Sequence, residues 1–228
     1  MYNSECSASY TISMIELMNY LKHETELEVK TLFALNESLI TKTRNLLVHS
    51  FLSSDCTHLL FIDSDIGFNA QQLIQLMKTN EDVVCGVYPK KNINWLKVSS
   101  LSNAGLSAHN ILRKSLDYLF LPTSDQAVPK DNGLLEIKAA GTGMMMISRN
   151  AFEKLSDKVE SFKLESSLQN VSGEGELIKE YFKSSIDKQT SVYLHEDFTF
   201  CAMCRDAGIK IYTAMWMTLT HSGSFVYG

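Results

Sequence analysis

The feature that most restricts this chain is the stretch Thr57-His58-Leu59-Leu60-Phe61-Ile62-Asp63-Ser64-Asp65-Ile66-Gly67-Phe68. A row of apolar and aromatic side chains runs without a break into two carboxylates. A short continuous apolar run fits a strand covered on both faces by other layers. In open α/β sheets, ligands gather beyond the carboxyl ends of such strands. Asp63 and Asp65 are hard oxygen donors of the kind that hold Mg²⁺ or Mn²⁺, and through the ion a phosphate. An isolated pair of this kind also occurs as a turn or a helix cap, so the rest of the chain has to decide.

Composition narrows the class. The 228 residues suit one domain with a sizeable core. A net charge of −5 and the lack of a basic run argue against a nucleic-acid surface. No apolar stretch reaches the ~20 residues of a membrane span. The N-terminus lacks the charged and apolar segments of a signal peptide. These features predict a cytoplasmic protein without a transmembrane segment. The five cysteines, Cys6, Cys56, Cys85, Cys201 and Cys204, are odd in number and partly embedded in apolar segments. They read as buried thiols of a reducing compartment. Cys201-Ala202-Met203-Cys204 has C-x-x-C spacing without a matching second pair, so it reads as helix core rather than as a zinc or redox site.

Taken in order, residues 8–22 space Tyr10, Met14, Leu17, Met18 and Leu21 as a helix face. Residues 29–35 read as a strand. Asn36 is placed to cap a helix whose stripe is Leu39, Ile40, Thr43, Leu46, Leu47 and Phe51. After the Asp-bearing strand, Asn69 caps a helix carrying Leu73, Ile74, Leu76 and Met77. Residues 82–87 form another buried strand, broken by Gly86 and Pro89. Residues 90–133, which open with Lys90, Lys91 and Trp95, show little periodicity before an apolar run at 111–121. Strands at 134–137 and 144–147 flank Ala139-Ala140-Gly141-Thr142-Gly143, and a short helix follows over 150–155. Residues 157–190 are charged, with Gly173-Glu174-Gly175-Glu176 at their middle, and read as a loop that covers a site. A helix over 196–207 stopped by Gly208, a strand over 209–212 and a last strand over 217–220 ending at His221 complete the chain. Strands alternating with helices predict an α/β fold with a mainly parallel sheet.

Candidate chemistry gathers in Lys42-Thr43-Arg44-Asn45, Asp63-Ser64-Asp65, Gly141-Thr142-Gly143, His195-Glu196-Asp197 and Thr220-His221-Ser222-Gly223. Their order resembles the GT-A fold glycosyltransferases, close to the large inverting family that uses nucleotide-diphosphate sugars. In that family a helix ending in Arg-Asn precedes a strand ending in D-x-D. A Gly-rich segment, a Glu-Asp pair opening a helix and a late His follow. The likeness spans roughly residues 36–228. It implies a GT-A-like, Rossmann-like mixed sheet, mainly parallel and flanked by helices. One domain over 1–228 would have a nucleotide-binding half at about 1–90 and an acceptor and catalytic half at about 91–228.

The resemblance also implies an activity: metal-dependent transfer of a sugar to an acceptor hydroxyl on a glycan, lipid or protein, with inversion. Asp65 and His221 would bind Mn²⁺ or Mg²⁺. Asp63 would join them through water or touch the ribose, and Arg44, Asn45 and Ser64 would serve the donor nucleotide. Gly141, Thr142 and Gly143 would let backbone come close to the donor sugar or acceptor. Asp197 matches the family's general base, and Glu196 is the second candidate. Plainer roles exist for each: Glu196 and Asp197 can simply offset a helix dipole, and the glycines can form an ordinary turn. Arg44, Lys90, Lys91 and Trp95 can be surface or packing residues.

The chain departs from the family pattern at its start. The family's first, nucleobase-contacting strand belongs between the strand at 29–35 and the Asp63 strand. Met1-Tyr2-Asn3-Ser4-Glu5-Cys6 looks like the loop that follows such a strand, so this central strand is expected to be missing and nucleotide affinity weakened. Two other classes compete. A degenerate, non-catalytic sugar-nucleotide module would lack turnover. A phosphohydrolase of the haloacid dehalogenase type would use Asp63 as nucleophile, but that pattern expects Thr or Val where this chain has Gly67.

Overall fold

The computed structural model describes residues 5–23, 26–34, 38–164 and 176–227. Its elements run α1 (Ala8–Leu21), α2 (Ile40–Leu52), β1 (His58–Ile62), β2 (Ile66–Phe68), α3 (Ala70–Met77), β3 (Val83–Cys85), α4 (Trp95–Asn103) and α5 (Ala108–Lys114). Then come β4 (Phe120–Pro122), β5 (Leu134–Ala140), β6 (Met144–Ser148), α6 (Arg149–Leu155), β7 (Ser161–Phe162), β8 (Ile178–Lys179), β9 (Ser185–Ile186) and β10 (Tyr193–Leu194). α7 (Glu196–Asp206), β11 (Ile211–Ala214), β12 (Leu219–Ser222) and β13 (Val226–Tyr227) close the chain. None of the described helices is long and apolar enough to cross a membrane.

The main sheet has six strands in the order β1-β6-β3-β11-β5-β4. Only β3 and β11 pair in parallel; the other neighbours are antiparallel. The α/β class expected from the sequence stands, but the mainly parallel sheet does not. The cause is that β6 inserts between β1 and β3 and runs against both. β11 likewise has the antiparallel β5 on its far side. Alternation of helix and strand along the chain shows which elements neighbour each other in sequence, not which strands pair.

Side chains along the central strands alternate between two cores, as the two-residue repeat of a strand requires. Val83 and Cys85 of β3, Met145 and Ile147 of β6, and Ile211 of β11 face one core with Val48, Phe51, Phe152, Phe200 and Cys204 from α2, α6 and α7. Val84, Met144, Met146 and Tyr212 face the other, with Leu17 of α1 and Leu73, Ile74 and Leu76 of α3. Helices therefore cover both faces. β1 is an outer strand, and no described strand lies beyond it. Phe61 is buried while its strand neighbours are half-buried, so the apolar run is less enclosed than its composition suggests.

Several local expectations shift. In α1 the inward face is Tyr10, Ser13 and Leu17, and Met18 points out. The inward face of α2 is Arg44, Asn45, Val48 and Phe51, whereas Leu39 and Ile40 are exposed; Asn36 lies outside the described residues. Residues 29–34 form no strand, and Val29, Leu32 and Phe33 are exposed there. Asn69 caps α3 as expected, its Oδ1 accepting the Gln72 N–H at 3.0 Å. Residues 90–133 hold α4 and α5, neither of which buries a residue. Within 157–190, the described parts contain the β7–β8 pair and β9, which pairs with β10; residues 165–175 lie outside the described residues. Cys85, Cys201 and Cys204 are buried free thiols, and burial pushes the Cys201 thiol up to about 12. The C-x-x-C pair is therefore core.

A smaller sheet, β13-β12-β2, positions the site. β12 is not the last strand, because Val226–Tyr227 pairs back onto it. β2 pairs antiparallel with β12, setting Leu219 against Phe68, Thr220 against Gly67 and His221 against Ile66. The other edge of β2 is closed by α1: the Ser13 hydroxyl donates to the Phe68 carbonyl at 2.7 Å and accepts the Phe68 N–H at 2.8 Å. Buried backbone groups need such partners. Ser13→Ala leaves both Phe68 groups unpaired, and chemical denaturation should show a loss of about 1–3 kcal/mol.

Candidate functional site

The residues between β1 and β2 are tied down from three sides. The Asp63 N–H donates to the Gly143 carbonyl at 2.9 Å, the Ser7 N–H to the Ser64 carbonyl at 2.8 Å, and the Ser222 N–H to the Asp65 carbonyl at 2.8 Å. Ser7 is also the N-cap of α1. The D-x-D backbone is thus held by the start of α1, by the Gly-rich segment and by β12. Ser64 contributes its carbonyl to this frame.

Asp65 and His221, 156 positions apart in the sequence, converge. His221 Nε2 lies 3.5 Å from Asp65 Oδ2. His221 Nδ1 lies 2.8 Å from the Pro89 carbonyl oxygen, which can only accept, so Nδ1 carries the proton. In the neutral imidazole Nε2 is then a lone pair facing a carboxylate oxygen. Two acceptors placed this way call for a cation or a shared proton between them. Asp65 Oδ1 is buried without a hydrogen-bond partner, which is costly for a carboxylate oxygen. Lys91 Nζ sits 2.5 Å from Asp65 Oδ2. Burial opposes ionisation of Asp65, but Lys91 and the protonated form of His221 outweigh it and hold the carboxyl below its usual range.

Arg44 and Asn45 face inward from α2. Arg44 is buried and ion-paired with Glu196 at the start of α7. Its other arm is 3.9 Å from Asp63 Oδ1. It is neither a solvated helix residue nor an open phosphate contact; it is an internal bridge between the D-x-D strand and α7. Asn45 clamps backbone: its amide donates to the Phe182 carbonyl at 2.8 Å and accepts the Phe182 N–H at 2.9 Å. Both ends of the amide are thereby engaged in packing rather than offered to a cofactor. Desolvation pushes the Asp63 carboxyl up, Arg44 opposes the shift, and Asp65 and Glu196 add to it. Of the three expected metal ligands, Asp65 and His221 meet, while Asp63 leans towards Arg44.

Asp197 is buried in the first turn of α7, where its Oδ1 accepts the Phe198 N–H at 2.8 Å. Burial raises its pKa, Glu196 adds repulsion, and the Phe198 N–H and Arg44 oppose the shift. Tyr88, which the sequence reading passed over, links the Gly-rich segment to His221 and lies in the field of Asp63 and Asp197. Its pKa is raised, first by burial and then by the negative fields of Asp63 and Asp197. The Tyr88 ring packs edge-on against His221, with centroids 5.1 Å apart. Its hydroxyl accepts the Gly143 N–H at 3.1 Å. A Cβ on Gly143 would stand 2.7 Å from Tyr88 Cζ, and one on Gly141 would collide with the hydroxyl. The close approach that these glycines allow is therefore that of Tyr88. Thr142, between them, has a buried Oγ1 without a partner. A signal for Tyr88 was present in its position shortly after the 82–87 strand, but aromatic residues there more often pack.

Among the described residues, no three His, Cys, Asp or Glu side chains form a group able to hold a metal unaided. Two donors suit an ion that keeps its remaining positions for water and substrate phosphates, as Mg²⁺ and Mn²⁺ do. Asp65 and His221 would supply two such donors to an ion of this kind. A separate cleft of about 710 Å³ is lined by Thr57, His58, Asp82, Ser148 and Lys210 among others, and by none of the expected site residues. Asp82 there is already satisfied by Ser148, Asn150 and Lys154, so the unmet polar groups point to Asp65 rather than to this cleft. Trp95 is exposed at the start of α4.

No protein-family model matches the chain, and neither does any curated protein. Among solved structures, the crystal structure of A197 from STIV matches with a TM-score of 0.47 and 14% identity over 92% of this chain and 78% of that one. At that distance the likeness carries no argument, and function has to be read from the site itself.

The raised pKa of Asp197 gives a pH test. Because folding raises it above the unfolded value near 3.8, ionisation favours the unfolded chain. The Asp197 contribution is favourable below pH 3.8 and is lost as pH rises through the folded pKa. Asp197→Asn, which keeps the oxygen that accepts the Phe198 N–H, should raise the melting temperature at pH 7. The gain should vanish as the melt is repeated towards pH 3.8.

Proposed function

We propose that this protein is a GT-A type glycosyltransferase that moves a sugar from a nucleotide-diphosphate sugar to an acceptor hydroxyl, with inversion. The observation that carries the reading is the convergence of Asp65 and His221, 3.5 Å apart, with a buried carboxylate oxygen left over. That donor pair would hold Mn²⁺ or Mg²⁺, which neutralises charge developing on a departing diphosphate. Pro89 keeps His221 in the tautomer a ligand needs. Tyr88 holds the imidazole edge-on.

Asp197 is the general base. Glu196, the other candidate, is committed to its ion pair with Arg44. Burial makes Asp197 a better proton acceptor than an exposed carboxylate. In the reaction, the acceptor oxygen bonds to the anomeric carbon as its proton passes to Asp197. The bond from that carbon to the diphosphate oxygen breaks, and its electron pair leaves with the diphosphate. A base on the side opposite the leaving group gives inversion. Thr142 Oγ1, buried and unpartnered, is available to a sugar hydroxyl. The acceptor is a glycan, lipid or protein hydroxyl.

The test is a panel of nucleotide sugars with Mn²⁺, read by release of nucleoside diphosphate. Asp197→Asn should lower turnover by about 10²–10⁴-fold while calorimetry still detects donor binding. Release that persists in Asp197→Asn, or no release from any donor, refutes the assignment.

A further inference from the structure

The geometry points to Lys91 as an exchangeable counter-ion of this site. Its ammonium holds Asp65 in the absence of a divalent ion, and moves onto the donor's diphosphate in the loaded enzyme. The inference rests on the nucleotide-sugar reading above and adds a residue to it.

Lys91 Nζ lies 2.5 Å from Asp65 Oδ2. That same oxygen is the one 3.5 Å from His221 Nε2. Asp65 Oδ2 is therefore the point at which an ammonium and a metal ion would compete. Two cations on one carboxylate oxygen repel each other strongly at such range. Lys91 must leave Oδ2 before that oxygen can serve as a metal ligand.

Its backbone is held by neighbouring segments, and its side chain is part-exposed. Pro89 bridges to Tyr118, and the Lys90 N–H donates to the Asp117 carbonyl at 2.7 Å. The Pro89 carbonyl is the partner of His221 Nδ1, so the segment that carries Lys91 is registered to the metal-binding imidazole. The Lys91 side chain is 40% exposed. Gly223 leaves room for its stem, since a Cβ there would stand 3.0 Å from Lys91 Cδ. A flexible four-carbon stem can swing a point charge through several ångströms. A diphosphate held through Asp65 and His221 would offer the displaced ammonium a new anionic partner. Lysine binds phosphate oxygens as a charged donor. Lys91 thus opposes metal binding to the empty site and strengthens binding of the nucleotide and of the leaving group.

These two effects have opposite signs, which makes them separable from damage to the fold. Lys91→Met keeps most of the stem and removes the charge. In calorimetry, Mn²⁺ alone should bind the variant about tenfold more tightly than wild type. UDP, GDP, ADP, CDP and dTDP would then be titrated at saturating Mn²⁺. Whichever wild type binds should bind the variant about tenfold more weakly. Any pattern other than opposite shifts, such as both affinities falling or neither moving, overturns the role of Lys91 and leaves the glycosyltransferase reading intact. A wild-type protein that binds neither Mn²⁺ nor any of the diphosphates overturns both.

Discussion

Three residue pairs between β2 and β12 set the geometry that brings His221 to Asp65. Phe68, Gly67 and Ile66 run against Leu219, Thr220 and His221. Because β2 starts one residue after Asp65, this short ladder fixes where His221 must be. A register slip of one residue would turn the imidazole to the other face of the strand. The ladder is short, so its neighbours secure it. Ser13 closes one edge of β2 and β13 lies against the far side of β12. Gly67 is needed between α1 and β12, since a Cβ there would stand 2.9 Å from the Ser9 Cβ and 2.5 Å from the Thr220 Oγ1.

Beside this ladder the chain gathers three carboxylates around one buried cation. Asp63, Glu196 and Asp197 lie within the reach of one buried guanidinium, that of Arg44. One cation cannot satisfy three carboxylates, and both Asp63 and Asp197 are pushed towards their neutral forms. Such an arrangement weakens the fold at neutral pH. Clusters of perturbed acids in one place are what catalytic sites commonly show. Arg44 pairs directly with Glu196 and leaves Asp197 without an ion-pair partner among the described residues.

Much of this was legible in the chain itself. The D-x-D residues, the acids that open α7 and His221 stand out by residue type and by their position next to apolar runs. Other parts were misread for physical reasons. Arg44 and Asn45 lie outside the apolar stripe expected of their helix, and both face the interior. Leu39 and Ile40 look like core, and both are exposed. Periodicity identifies a stripe, but which stripe turns inward depends on the partner surface. The glycines at 141 and 143 announce a close approach without saying what approaches; it is the Tyr88 ring. Lys91 resembles any surface lysine until Asp65 is placed beside it.

Local order, meaning where helices and strands form, where they are capped and which residue types sit at their ends, follows from the sequence because it depends on neighbours a few positions away. Asn69 capping α3 and the turn at Gly208, with φ of +72°, are of this kind. Strand pairing is not, because it joins segments whose separation along the chain leaves no local trace. The tertiary structure alone decided that β6 runs between β1 and β3 against both. It alone brought His221 to Asp65, and set Tyr88 between the Gly-rich segment and the imidazole.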